Sequence, residues 1–206
     1  LVEELKLTCG QGAEVTVASE AVLMKLRQVA GGLVKVKGKD DPQVIGSTKL
    51  DALVEVLDEI GPEPAVIWCE FRADIDRIVR TLTQQGDSVG TIDGRTSGQA
   101  QETIDKFMKG ELTRLVCPPK AAGHGTDGLQ KVCKYAVYYS LSFSAEEHEQ
   151  SRDRLHRSGQ HHPVTYVYMV AKDSVDESLL WVVRRKASKQ HALLRELKMT
   201  STPTNQ

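Results

Sequence analysis

The segment Gln150–Gln160 reads Gln-Ser-Arg-Asp-Arg-Leu-His-Arg-Ser-Gly-Gln, the pattern of a helix with almost no apolar surface. Gln150, Arg154 and Arg157 are spaced at i, i+4 and i+7, so a helix places all three on one face. Leu155 is the only large apolar residue of the segment. Two guanidinium groups and an amide on one face suit a polyanion such as a nucleotide phosphate chain. A solvated charged helix is the alternative interpretation.

The ends of this helix are also indicated by the sequence. Ser144 and Glu147 are three residues apart and form a capping box, which predicts that the helix begins at residue 144. Gly159 is suited to a C-terminal cap. We therefore predict a helix that continues through Arg157.

Outward from this helix, short apolar runs alternate with helical periodicity. Ala65–Cys69 is a continuous apolar run, typical of a strand buried on both faces. Such alternation implies right-handed crossovers and a mainly parallel sheet, with functional loops beyond the carboxyl ends of the strands. Further strands are predicted at 88–92, 115–117, 135–140 and 164–171, and helices at 47–60, 75–86, 100–108 and 175–197.

Three motifs together resemble the Swi/Snf-like branch of the superfamily-two helicases. Gln150–Gln160 resembles motif VI, Ala121–Gln130 resembles the glycine-rich motif V, and Asp173–Glu177 resembles the "TxDE" segment. Their order and spacing agree with the family. The resemblance implies an α/β fold of the RecA-like, P-loop NTPase type, with a mainly parallel sheet flanked by helices. We predict this helicase C-terminal domain at 47–198, a small N-terminal extension or connecting segment at 1–46, and a disordered tail at 199–206.

The resemblance also implies roles for individual residues in an ATP site between two lobes. Arg154 and Arg157 are the predicted catalytic arginines, acting as arginine fingers that stabilise charge on the γ-phosphate. The predicted ATP-binding residues are Gln150, Gly123, Gly125 and Asp127.

Duplex DNA is the predicted nucleic-acid partner. The chain has 27 Lys and Arg against 28 Asp and Glu residues, so a DNA site must be a local patch. By analogy with the family, sequence-independent backbone contacts come from Arg72, Arg95, Thr96 and Lys120. Two alternatives are an RNA helicase lobe of the same superfamily and a non-catalytic nucleotide- or nucleic-acid-binding module.

The sequence lacks the parts that hold the β- and γ-phosphates. It has no Gly-x4-Gly-Lys-[Ser/Thr] loop and no acidic segment of the DEAH kind. We therefore expect ATP and Mg to be held by an N-terminal RecA-like lobe of the same parent protein, and the isolated chain to be inactive as an ATP hydrolase. The first residue, Leu1, is not Met, and we expect a fragment of a longer protein.

Cysteine spacing and hydropathy restrict the compartment and other ligands. The four cysteines show no CxxC spacing, so we expect a reducing compartment, the cytoplasm or alternatively the nucleus. No apolar stretch has membrane length. No carboxylate or cysteine is suitably spaced beside His156, His161 and His162, so no metal site is predicted.

Four further expectations concern packing. Trp68 and Trp181 lie in apolar patterns and are predicted to be core residues. Asp176 and Glu177 open the last helix and are expected to act only as partners of its dipole. In the N-terminal extension, Ser19 is predicted to cap a helix whose apolar residues are Val22, Leu23 and Leu26, and residues 34–41 are predicted to form a hairpin or a mobile loop.

Overall fold

The computed structural model describes residues 5–9, 13–17, 20–34, 42–123, 128–157, 160 and 162–185. Two short 3-10 turns, Ser97–Gln99 and Pro119–Gly123, accompany the strands and α-helices. The strands and α-helices are, in chain order, β1 (Leu5–Cys9), β2 (Ala13–Val17), α1 (Glu20–Ala30), β3 (Leu33–Val34), β4 (Gln43–Val44), α2 (Thr48–Ile60), β5 (Ala65–Trp68), α3 (Arg72–Gln84), β6 (Val89–Thr91), α4 (Ala100–Met108), β7 (Arg114–Cys117), α5 (Leu129–Val132), β8 (Tyr135–Tyr138), α6 (Ala145–Asp153), β9 (Thr165–Tyr168) and α7 (residues 175–185).

A five-stranded sheet with the order β6-β7-β5-β8-β9 forms the centre of the described structure. Every pairing in this sheet is parallel, and Trp68 of β5 is aligned with Cys117 of β7 and Tyr138 of β8. The carboxyl ends of the strands therefore share one edge, where the loops after β5, β6, β7 and β8 emerge. The predicted mainly parallel α/β sheet is confirmed.

Helices cover both faces of the sheet because side chains alternate along each strand. In β5, Val66 and Trp68 join the core beneath α4, α5 and α7, whereas Ala65 and Ile67 join the core beneath α2 and α3. All four residues are fully buried. This two-sided burial explains the continuous apolar run in the sequence.

The described part of the N-terminal segment consists of two small antiparallel strand pairs and one helix. β1 pairs with β2, and β3 pairs with β4. The predicted helix is present as α1, but its predicted apolar face is wrong at two positions: Leu23 is buried, whereas Val22 and Leu26 are more than 40% exposed. The inward positions are Leu23 and Arg27, four residues apart on one face. Ser19, residues 35–41 and residues 199–206 lie outside the described residues, and the domain boundaries stay predictions.

The last described helix, α7, corrects two sequence expectations. Asp176 is buried, and its carboxylate forms an ion pair with Lys49 at 2.5 Å and accepts the Ala171 N–H at 3.2 Å. It is therefore more than a partner of the helix dipole. Trp181 was predicted to be a core residue but is 40% exposed, because the buried face of α7 is formed by Leu179 and Val183 together with Asp176. The predicted continuation from 186 to 197 lies outside the described residues.

The described residues bear on the sequence predictions for cysteines, membrane-spanning segments and metal sites. Cys69, Cys117 and Cys133 are buried free thiols. No described helix is long and apolar enough to cross a membrane. Within the same residues, no group of three or more His, Cys, Asp or Glu side chains is arranged to hold a metal ion.

Candidate functional site

The start of α6 is fixed by a capping arrangement close to the predicted one. The Glu147 N–H donates to the Ser144 hydroxyl at 3.2 Å. The Glu147 carboxylate does not bond the Ser144 N–H directly. It accepts the Ser142 hydroxyl at 2.6 Å, and that hydroxyl accepts the Ser144 N–H at 3.1 Å. The capping box is thus present with one serine inserted as a relay, and it sets where α6 begins.

The buried face of α6 is polar, which the sequence interpretation missed. His148 and Ser151 of α6 are buried, as is Leu155 in the turn that follows, and the three lie at i, i+3 and i+7. The Ser151 hydroxyl is 2.7 Å from the Tyr138 hydroxyl of β8, and His148 Nε2 is 3.2 Å from the Tyr168 hydroxyl of β9. Burial lowers the pKa of His148 to about 4, so its ring is neutral near pH 7. The helix is held on the sheet by hydrogen bonds and aromatic contacts.

α6 is shorter than predicted: it ends at Asp153, before Arg157. Arg154 is its C-terminal cap residue, and its N–H donates to the Gln150 carbonyl at 3.2 Å. The chain then continues as a turn in which the His156 N–H donates to the Arg152 carbonyl at 2.8 Å. The proposed cap, Gly159, lies outside the described residues.

The three predicted nucleotide-facing side chains nevertheless share one surface. An open depression of about 390 Å³ is lined by Gln150, Arg154 and Arg157, together with Asp153 and His156. Because the turn after Asp153 keeps helix-like hydrogen bonds, it carries Arg157 to the same side as Gln150. The arrangement presents guanidinium groups beside an amide, as the sequence predicted.

The glycine-rich segment after β7 lies directly against α6. Its first part is the turn Pro119–Gly123, which packs on α6. The predicted meeting of these two segments at the carboxyl edge is confirmed for this part of the loop. Gly123 ends the turn, whereas Gly125 and Asp127 lie outside the described residues. Gly128 is the first described residue after this gap, and its φ of 106° is a conformation that favours glycine.

Two of the predicted nucleic-acid residues, Arg95 and Thr96, form hydrogen bonds within their own loop, and Arg95 also pairs with Asp76 of α3. The Arg95 guanidinium donates to both carboxylate oxygens of Asp76, at 3.0 and 2.7 Å, and to Asp93 at 3.0 and 2.6 Å. These hydrogen bonds from Arg95 hold the pKa of Asp93 below its usual range. The Thr96 hydroxyl accepts the Asp93 N–H at 2.9 Å and donates to the Thr91 carbonyl at 3.2 Å.

Arg72 and Lys120 are exposed at the same edge of the sheet. Arg72 is the first residue of α3, and its guanidinium lies against Gly94, since a Cβ added there would be 3.5 Å from Nη2. Lys120 lies on the turn after β7. Burial raises the pKa of Glu70 above its usual value, and the positive charges of Arg27 and Lys120 act in the opposite direction. Arg72 is thus brought to the Arg95 loop, and Lys120 lies on the neighbouring β7 loop.

A parallel sheet covered on both faces, with a glycine-rich loop packed against an arginine-bearing helix at its carboxyl edge, defines a RecA-like lobe of the helicase type. The chain belongs to the family described as helicase conserved C-terminal domain, whose model matches residues 48–159. Within that family it is a C-terminal lobe of the Swi/Snf-like superfamily-two kind.

Relatives and a solved structure agree with this membership. The chain is 24% identical to putative protein p41 of Acyrthosiphon pisum secondary endosymbiont phage 1, over 95% of the chain and 42% of p41. It is 32% identical to the DNA repair protein RAD5 of Cryptococcus neoformans, over 76% of the chain and 13% of RAD5. The crystal structure of the C-terminal part of the Fun30 ATPase domain superposes with a TM-score of 0.60 at 25% identity, over 68% of this chain and 45% of that one. The chain therefore spans less than half the length of these relatives.

Proposed function

We propose that this chain is the second lobe of an ATP-dependent DNA translocase and completes an ATP site between two lobes. The observation that carries the proposal is the shared depression of Gln150, Arg154 and Arg157 at the edge where the glycine-rich turn packs on α6. Some relatives are named ATP-dependent helicases, for example ATP-dependent helicase FUN30 of Saccharomyces cerevisiae. These names support the proposal that the parent protein of this chain uses ATP.

In this proposal the chain supplies charge and orientation to phosphates held by a first RecA-like lobe. The planar guanidinium forks of Arg154 and Arg157 suit the oxygens of a γ-phosphate. Gln150 orients the nucleotide, and the loop that holds Gly123, Gly125 and Asp127 approaches the phosphates with backbone N–H groups. Magnesium bound to ATP would neutralise phosphate charge, and residues of the first lobe would hold it.

DNA is the proposed track, because RAD5 is named a DNA repair protein and another relative is named chromatin remodeling 19 of Arabidopsis thaliana. Arg72 and Lys120 are the proposed direct phosphate contacts. Arg95 and Thr96 contribute chiefly by ordering the loop beside Arg72, because carboxylates already surround Arg95. The contacts are independent of base sequence, since phosphates carry no sequence information.

Replacement of the arginines in the two-lobed protein tests the proposal. Arg157→Ala is expected to lower kcat for ATP by about 10³-fold or more, as for other arginine fingers, with little change in duplex DNA affinity. Arg80, an exposed arginine of α3 that does not line the depression, provides the matched control, and Arg80→Ala should leave kcat unchanged. Equal kcat values for the Arg157→Ala and Arg80→Ala proteins would exclude the proposed role and favour a solvated charged segment.

A further inference from the structure

Arg27 of α1 is a buried arginine, only 4% exposed, whose contacts reach far along the chain. Its Nη2 donates to the Leu141 carbonyl, 114 residues away. The guanidinium carbon lies 4.5 Å from the ring centroid of Phe143 and 4.9 Å from that of Phe71. Arg27 Nη2 is also 3.9 Å from the Glu70 carboxylate. The guanidinium is therefore held between two aromatic rings from different loops.

These partners come from two loops at the carboxyl edge of the sheet. Glu70 and Phe71 follow β5, whereas Leu141 and Phe143 follow β8. Phe143 immediately precedes Ser144, the N-terminal cap of α6. One guanidinium thus joins the N-terminal segment, the β5–α3 loop and the loop that leads into α6.

A buried guanidinium is a costly way to fill space. Burial lowers the pKa of Arg27, and the Glu70 carboxylate is the main group acting in the opposite direction. An apolar side chain of similar volume avoids that desolvation. What an apolar side chain does not provide is a directed bond to the Leu141 carbonyl combined with contacts to two ring faces.

We propose that Arg27 is a positioning residue that sets the location of α6, and through it Arg154 and Arg157, relative to the rest of the lobe. The proposal rests on the function proposed above. Because Arg27 belongs to the N-terminal segment, a displacement of α1 is transmitted to the start of α6. Arg27 itself touches no nucleotide.

Arg77 provides a matched control for this role. Like Arg27, it ties the N-terminal segment to the lobe, since its guanidinium donates to the Gly46 carbonyl at 2.7 Å and the Gly31 carbonyl at 3.4 Å. It belongs to α3, and these two hydrogen bonds do not reach the loop after β8. Arg27→Met and Arg77→Met therefore each remove one arginine that joins the N-terminal segment to the lobe, and only Arg27→Met removes contacts with the loop that leads into α6.

The experiment measures kcat and KM for ATP, and thermal unfolding, in the two-lobed protein. Arg27→Met should lower kcat by about 10- to 100-fold with a nearly constant KM, since a small displacement of a catalytic group has effects of that size. Arg77→Met should lower the melting temperature by about as much as Arg27→Met does, but its kcat should stay within about twofold of the wild-type value. Arg27→Lys, which retains the charge and a donor for Leu141, should recover part of kcat. Equal effects of both methionine variants on kcat would overturn the proposal.

A combined variant separates this inference from the proposed function. If Arg27 acts through Arg154 and Arg157, Arg27→Met should not lower kcat further in a protein that carries both Arg154→Ala and Arg157→Ala. Multiplying effects would overturn the inference alone, whereas an unaffected Arg157→Ala protein would overturn the proposed function. If Arg27→Met does not fold, Phe143→Leu removes one of the two rings and leaves the arginine in place. It should lower kcat in the same manner, and an unchanged kcat would overturn the inference.

Discussion

Asp74 and His148 are buried titratable side chains whose pKa values are shifted in opposite directions. Asp74 is 1% exposed, and neither carboxylate oxygen accepts a hydrogen bond from the described residues. Burial raises the pKa of Asp74 from 3.8 to about 7, although Lys49 and Arg77 act to lower it. Burial lowers the pKa of His148 from 6.5 to about 4. Both groups therefore favour their neutral forms in the folded protein.

The two shifts have opposite consequences for stability. Between about pH 4 and pH 7 the folded state holds a proton on Asp74 that the unfolded state has lost, so this contribution to stability decreases as pH rises. Between about pH 4 and pH 6.5 the unfolded state protonates His148 and the folded state does not, so this contribution increases as pH rises. In the wild-type protein the two contributions oppose one another.

Single substitutions should reveal each contribution. The free energy of unfolding of the Asp74→Asn protein should rise more steeply with pH than that of the wild type, and that of His148→Gln should rise less or fall. One proton is equivalent to at most about 1.4 kcal/mol per pH unit. Urea denaturation across this pH interval measures the slopes. Variant curves parallel to the wild-type curve would show that these groups are not titrating as described.

At the scale of elements, α2 and β5 show what the sequence predicted well. The period of α2 and its end before Gly61 are local features, and so is the apolar run of β5. α1 and α6 show the limit, because Arg27 and His148 occupy inward positions that a hydrophobic pattern assigns to apolar residues. Their partners are distant in sequence, so no local signal identified them. The spacing of His148, Ser151 and Leu155 was the one available indication.

In the candidate site too, local features were predicted from the sequence and contacts between distant residues were not. The grouping of Gln150, Arg154 and Arg157 followed from their spacing, and it survives although the helix ends early. The pairing of Arg95 with Asp76 and Asp93 did not follow, because it depends on how the loop after β6 folds back onto α3. Residue spacing along a helical segment thus predicts which side chains share a surface better than the charge of loop residues predicts their partners.

The link between α2 and α7 makes a prediction for two elements far apart in sequence. The side chains of Lys49 and Asp176 are only 7% and 5% exposed, and these residues are 127 positions apart in the chain. Lys49 Nζ lies 2.5 Å from Asp176 Oδ2. Lys49→Met should lower the free energy of unfolding by about 3–5 kcal/mol, because it leaves a carboxylate buried without its cation. Adding Asp176→Leu to Lys49→Met should recover most of that loss. Urea denaturation measures both, and a double variant less stable than Lys49→Met would contradict the assignment.

At the scale of the whole molecule, the proposed function makes this chain one of two lobes of a translocase. It contributes arginines, a glycine-rich turn and an exposed basic pair, Arg72 and Lys120, at one edge of a parallel sheet. Its sequence contains no phosphate loop to hold the β- and γ-phosphates. In the proposed function, closure of the two lobes around ATP would join these parts and opening would separate them, and this cycle would drive movement along DNA.

Phosphate release in the presence of duplex DNA tests this central claim most directly. The purified 206-residue chain and a protein that contains both lobes are compared under the same conditions. We predict DNA-stimulated ATP turnover by the two-lobed protein, its loss on Arg157→Ala, and no turnover by the chain alone. DNA-stimulated phosphate release by the purified chain itself would contradict the account, because it would show that the chain holds a complete ATP site.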